Sequence, residues 1–263
     1  MTAVEKVQIY ACKRLLNVSK SACNDAILGD CGRYPLYINT YKRCLKFWLR
    51  ILKLPEYRLV KLSYEMLKHY DSVGHTNWVT YLRRNLYSNG FGYIWQSQSV
   101  ENEKLFIYQY MERLKMQYFQ TWNDKCSQNS KLLYYHQYKS TYNLEVYLST
   151  IDVAKFRTAL VKFRSSAHSL LIERGRHFGI EREYRYCVYC EVYVEDELHF
   201  LLFCPLYEDL RLRYLESRFT INPSIDKFIR LLSSQNETVI KNLAMYIFYA
   251  FKRRQIFIEG SSY

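Results

Sequence analysis

The stretch Ile38-Asn-Thr-Tyr-Lys-Arg-Cys-Leu-Lys-Phe-Trp-Leu-Arg-Ile-Leu-Lys-Leu54 decides the fold. Ile38, Tyr41, Leu45, Trp48, Leu49 and Leu52 recur at three- and four-residue steps, which gathers them on one side of an α-helix. Lys42, Arg43, Lys46, Arg50 and Lys53 cover its other face. The spacing predicts a helix from Asn39 to Leu54. Pro55 ends it and can sit in the first turn of the next, which runs to about His69.

The same period recurs on either side. Val4 to Leu16 carries Val7, Ala11 and Leu15 on one face. Asn77 to Tyr87 is closed by the turn signal Ser88-Asn89-Gly90, and Glu101 to about Asp124 carries Leu105, Tyr108, Met111, Leu114 and Tyr118. Val153 to Ala167 places Phe156, Leu160, Phe163 and Ala167 on one stripe; helices over Pro205–Ser217 and Glu237–Arg254 follow. Strand signals are confined to short runs such as Tyr186 to Val194, which read as a hairpin. With 8 Gly and 4 Pro among 263 residues there is little turn punctuation, which favours long helices. The polar run Lys125 to Lys131 reads as a linker. Two regions follow: a helical one, 1–128, and one over 129–263 holding a basic helix, a small metal knuckle (about 184–206) and terminal helices. The expected fold is mainly α, a bundle of amphipathic helices with a knuckle of short β-hairpin plus helix.

The knuckle rests on four residues. Cys187 and Cys190 form a Cys-x2-Cys pair, the spacing at which one turn lets two thiolates grip one ion. His199 and Cys204 follow after eight and four intervening residues. Three thiolates and an imidazole with no open position are the donor set of a tetrahedral structural zinc; a catalytic zinc keeps a place for water. Glu195-Asp196-Glu197 can open a short helix bearing His199, and Pro205 suits the first turn of the helix after Cys204. From Glu191 to Leu210 there are six acidic residues and no Lys or Arg, a surface that should repel phosphate. The knuckle is therefore expected to act as a staple.

The other cysteines, Cys12, Cys23, Cys31, Cys44 and Cys126, are irregularly spaced and read as buried helix thiols or, alternatively, as part of a second metal site. Gly90-Phe91-Gly92 lacks a strand-to-helix frame, and no His-Glu-x-x-His, Gly-x-Ser-x-Gly or Gly-Lys-Ser/Thr motif is present. Nothing reads as an active site.

A formal net charge of +13 suits an anionic partner, nucleic acid ahead of a membrane surface. The charge concentrates before the cysteine pair, in Lys155, Arg157, Lys162, Arg164, Arg174, Arg176, Arg182 and Arg185. Arginine predominates, which favours bidentate phosphate contacts, and Phe156, Phe163, Phe178, Tyr184 and Tyr186 interleave as stacking candidates. The plainer reading is an amphipathic helix whose long side chains snorkel beside an apolar stripe. The 27 Tyr supply surfaces for packing, interfaces or base stacking, most of them for packing. No signal peptide opens the chain, and the longest apolar run, Leu243 to Phe251, is about half a membrane span. The expected location is intracellular, nuclear or cytoplasmic.

Phe156-Arg-Thr-Ala-Leu-Val-Lys-Phe-Arg-Ser-Ser-Ala-His168, Ile172-Glu-Arg-Gly-Arg176, the Cys-x2-Cys pair and Glu195-Asp-Glu-Leu-His-Phe-Leu-Leu-Phe-Cys-Pro205 together resemble a known region. It is the zinc-binding C-terminal region of non-LTR (LINE-type) retrotransposon reverse transcriptases. Lys13-Arg-Leu-Leu-Asn-Val, Gly29-Asp-Cys-Gly-Arg-Tyr-Pro-Leu36 and Lys46-Phe-Trp48 resemble the segment after the polymerase core, so the likeness covers roughly residues 7 to 235. It implies a region that helps hold RNA or DNA while the polymerase copies element RNA at nicked DNA. The family's polymerase uses paired catalytic aspartates. This chain has no Asp-Asp pair, no counterpart of the palm and no endonuclease, so the resemblance implies a non-catalytic fragment. The expected partners are RNA or DNA without sequence preference, with the basic segment contacting the phosphates of RNA or single-stranded DNA. The rival expectations are a packing module that docks on a polymerase domain, or a non-functional truncated element copy.

Overall fold

Helices occupy most of the chain in a computed structural model that describes residues 3–260. In order they are α1 (Ala3–Leu15), α2 (Asn24–Asp30), α3 (Leu36–Leu52), α4 (Leu59–Ser72), α5 (Trp78–Ser88), α6 (Gly92–Ser97) and α7 (Glu103–Gln128). The short α8 (Tyr135–Tyr138) and α9 (Val146–Thr150) precede α10 (Ala154–Arg164) and α11 (Leu171–His177). Beyond the cysteine segment come α12 (Glu208–Tyr214), α13 (Ser217–Thr220), α14 (Ile225–Leu232) and the long α15 (Glu237–Gly260). The fold is mainly α.

The chain divides into two compact units, cut at Arg33/Tyr34 and Thr121/Trp122. The boundary expected after residue 128 is not where it divides: α7 continues to Gln128 and Ser130–Leu132 adds a 3-10 turn, so the supposed linker is helical. Polar composition there marks an exposed helix end.

The unit Tyr34–Thr121 has a core of its own. The apolar stripe of α3 supplies Ile38, Leu45, Trp48 and Leu49, which pack with Tyr64 of α4, Val79, Leu82 and Leu86 of α5, and Tyr110 and Leu114 of α7. Trp48 Nε1 donates to the Tyr64 hydroxyl at 3.0 Å, and that hydroxyl donates on to Gln98 Oε1 at 2.5 Å, so both buried polar groups are satisfied. Asn77 caps α5 in a reciprocal box with Thr80.

The other unit combines the chain up to Arg33 with the chain from Trp122 onward. Its helical face on α1 differs from the periodicity reading: Ile9, Cys12 and Lys13 are buried, while Val7 and Leu15 are exposed. Lys13 accounts for the difference, because its ammonium donates to the carbonyls of Lys20 and Ala22 at 2.8 and 2.6 Å. The anchor of this unit is Asp30 at the end of α2. Arg164 of α10 grips its carboxylate with Nε and Nη2 at 2.8 and 3.0 Å, and the hydroxyls of Tyr135 and Tyr147 donate to it at 2.9 and 2.7 Å. Arg164 also pairs with Glu145 at 3.1 Å and lies over the Tyr138 and Tyr147 rings. Burial raises the cost of the Asp30 charge, but the guanidinium beside it prevails and holds the carboxyl below its usual range.

Candidate metal centre and basic groove

Cys187, Cys190 and His199 converge. Their ligand atoms lie within 4.8 Å of one another, and the group could hold a metal ion. Cys190 Sγ is 3.4 Å from His199 Nε2, and Cys204 Sγ is 3.7 Å from Cys187 Sγ. The Cys204 thiol hydrogen-bonded to Cys187 pulls the Cys187 thiol well below its usual range despite burial.

The local backbone explains the convergence. The turn over 187–190 is closed by Glu191 N–H donating to the Cys187 carbonyl at 2.9 Å, with Glu191 left-handed at φ 53°. The expected hairpin is absent among the described residues: Tyr186 and Val194 make a single antiparallel bridge, and Cys187 N–H donates to the Tyr193 carbonyl at 2.8 Å. The chain leaves the bridge to form the thiol turn, so no ladder develops. His199 opens a π-helical turn, His199–Phe203, and its N–H is capped by Asp196 Oδ1 at 2.9 Å.

The segment is fastened to the rest of its unit by polar contacts that are largely buried. Arg254 of α15 forks onto Glu195 at 2.5 and 2.6 Å, while the same carboxylate accepts from Leu171 N–H at the start of α11 at 2.7 Å. Arg211 of α12 donates to the Cys204 carbonyl at 2.7 Å, and the Tyr246 hydroxyl to the Phe200 carbonyl at 2.9 Å. These contacts correct the expectation of a phosphate-repelling surface. Glu195 is spent on Arg254, Asp209 on Arg253, Glu197 on His168, and Asp196 on Tyr134 and Arg182. Only Glu191 and Glu208 of the six stand exposed without an ion pair among the described residues.

The eight basic residues expected to face phosphate separate into groups. Arg164 is not at a surface; it is buried on Asp30. Arg185 is buried too, donating to the carbonyls of Ile172 and Ile180 at 2.6 to 2.9 Å. It lies flat over Gly175, where a Cβ would come within 2.8 Å of its side chain. Both guanidiniums are consumed by the fold. Arg157 donates to the Ile151 carbonyl at 2.7 Å, Arg176 is held by Glu173 and Ser130, and Arg182 reaches Asp196 at 3.4 Å.

Lys155, Lys162 and Arg174 remain. All three are exposed and line one groove of about 870 Å³ between α10, α11 and α15. Lys252 of α15 joins them, a residue that sequence reasoning passed over although it opens the run Lys252-Arg253-Arg254. Phe248 and Phe251 supply an apolar wall, and Lys155 lies over the Phe248 ring at 5.3 Å. His168 lies at the same groove: its Nε2 is 2.9 Å from Glu197, and its buried Nδ1 has no hydrogen-bond partner. One carboxylate, Glu259, stands on the groove's lining and pairs with Gln255.

No helix among the described residues is long and apolar enough to cross a membrane. Comparison of the chain with protein-family models, with curated proteins and with solved structures finds no match.

Proposed function

We propose that the chain is a non-catalytic nucleic-acid-binding module, held in shape by one structural zinc, and a fragment of a retrotransposon reverse transcriptase of the kind its sequence resembles. The observation that carries the binding reading is the groove. Four cations, Lys155, Lys162, Arg174 and Lys252, border it with no ion pair of their own among the described residues, beside Phe248 and Phe251. Cations that track a phosphate backbone beside aromatic faces are how unpaired strands are held. A groove of about 870 Å³ takes a stretch of single strand and is too small for a duplex.

Zinc is favoured by the donor set and by its edges. With Zn–S about 2.3 Å and Zn–N about 2.05 Å, a tetrahedron has S···S edges of about 3.8 Å and S···N edges of about 3.6 Å. The separations of 3.7 Å for Cys187–Cys204 and 3.4 Å for Cys190–His199 sit near those values. The Cys187–Cys204 separation is too long for a disulfide, whose sulfurs approach to about 2.05 Å. Cys204 lies beside Cys187 but outside the group of three whose ligand atoms are mutually within 4.8 Å, and in this reading it closes onto the ion as the fourth ligand, which leaves no open position.

Binding should follow counterion release. Four cations on a single strand give a slope of about −2.8 in log K against log salt, a loss of roughly 50-fold between 50 and 200 mM. Fluorescence anisotropy with a labelled mixed-sequence single strand measures it. Lys155→Glu with Lys162→Glu and Lys252→Glu should abolish binding while the helical circular dichroism stays intact. Binding that ignores salt, or survives the triple change, sinks the reading. Metal analysis checks the zinc: about one ion per chain is expected, and a Cys190→Ser variant with full zinc content would show the ligands misassigned.

A second reading, docking on a polymerase domain, is favoured by the exposed apolar side chains of α4: Leu59, Leu62, Met66 and Tyr70. It expects no effect of the groove variant and monomer aggregation relieved by Leu62→Lys.

A further inference from the structure

The cations of α3 have no part in the groove. Helical rotation of about 100° per residue puts Lys42, Arg43, Lys46, Arg50 and Lys53 within an arc of roughly 100°. All five are exposed. No Asp or Glu occurs anywhere in α3. Lys53 meets Glu103 at 3.0 Å, but Lys42, Arg43 and Lys46 form no ion pair among the described residues, and Arg50 lies over the Phe47 ring at 5.4 Å. A row of like charges at three- and four-residue steps repels itself and destabilises its helix by tenths of a kcal/mol per pair, so a solvated face alone would intersperse acids. α1, α4 and α7 each carry acids as well as bases; α5 and α10 lack acids as α3 does, and the exposed lysines of α10 border the groove.

We infer that this face of α3 is a docking surface for the phosphate backbone of double-helical nucleic acid. Its occupant is chosen by shape and by what is missing. From Lys42 to Lys53 the row runs about 16 Å in a straight line, and a duplex is a straight rod with one charge per roughly 1.7 Å. The face is convex and has no concave wall to seat unpaired bases: its aromatic neighbour, Phe47, is part exposed, with Arg50 over its ring and Trp78 at 6.2 Å. An anionic bilayer needs an apolar face to insert, and the apolar face of α3 is buried in the core. The row therefore offers phosphate neutralisation and nothing else, which is the sequence-independent part of duplex binding.

The test uses the full chain with a blunt mixed-sequence DNA duplex, a single strand of the same sequence, and vesicles of phosphatidylserine and phosphatidylcholine. Arg43→Gln with Lys46→Gln and Arg50→Gln should lower duplex affinity at least tenfold and flatten its salt slope by about 2.7, three cations at about 0.9 each. Single-strand binding should change less than twofold. These three side chains sit outside the core, and Lys46→Glu alone supplies a second variant should the triple fail to fold. Unchanged duplex affinity in a folded variant overturns the inference and leaves the groove reading standing. Loss of duplex binding with an inert groove triple overturns the groove reading and supports this one. Vesicle binding that needs Lys46, with duplex binding unaffected, overturns it in favour of a lipid surface.

Discussion

A buried charge costs far more to strand than a paired one returns, and Asp30 shows what that does here. Its carboxylate is met by Arg164 and two tyrosyl hydroxyls with no water-facing edge. Replacing Asp30 by Ala leaves Arg164 buried beside Glu145 alone, and should cost about 3–5 kcal/mol, read as a lower urea midpoint at constant m. The pH dependence follows from the sign of the shift. Asp30 is held below the unfolded aspartate value of about 3.9, so its contribution is complete above about pH 4 and is lost as pH falls through the lower folded value. An Asp30→Asn protein should therefore lose less stability than the native chain between pH 4 and pH 2. Residue identity was a poor guide at this scale. Arg164 and Lys162 sit two positions apart in one basic run, yet one is core and the other rims the groove. What separates them is an acid 134 residues away, which no local pattern displays. The convergence of Cys187, Cys190 and His199 was legible because their spacing is itself local.

At the scale of elements, α3 was readable because its cations and most of its apolar positions fall on different sides, with Leu36, Tyr37 and Phe47 the exposed exceptions. α1 was misread because a lysine took a core position by satisfying two carbonyls. The hairpin over 186–194 was expected from β-prone residues, but a thiol turn cannot also run as a ladder, and one bridge is what survives. α15 matters more than its late position suggests: Lys252 rims the groove, Arg253 pairs with Asp209 and Arg254 holds Glu195. Glu195→Gln should loosen both ends of that clasp, since the same carboxylate caps α11 through Leu171. The expected outcome is a loss of about 3–5 kcal/mol without disturbing the Cys187, Cys190 and His199 group, of which Glu195 is not a member. A parallel fall in the metal content of the purified protein would show that the clasp, more than the thiols, shapes that group. Gly175→Ala belongs to the same element scale: its methyl group displaces Arg185 from its carbonyls, and a cost of about 1–3 kcal/mol is expected in the same denaturation assay.

For the whole molecule, the division into units assigns consequences to each half. Chelation of the metal should speed hydrogen exchange in α11, α12 and α15, which adjoin the cysteine segment, and leave the amides of α3 and α5 protected, because their core contains none of its residues. Uniform deprotection would mean the units unfold as one. The two-unit plan was not legible: composition marked a change near residue 128, whereas one cut falls in the loop before α3 and the other inside α7, where only contacts distant along the chain define it. One of those distant contacts also sets a clock. Asp30 meets Arg164 only after another 134 residues have been made. At about 5–20 residues per second, α2 waits roughly 7–27 seconds on the ribosome with only α1 to pack against and its Asp30 unmatched, while the unit Tyr34–Thr121 can already close upon itself. During synthesis the earliest-made segment is thus among the last to find its place, and the interval is one in which a chaperone, or a neighbouring nascent chain, can reach it first.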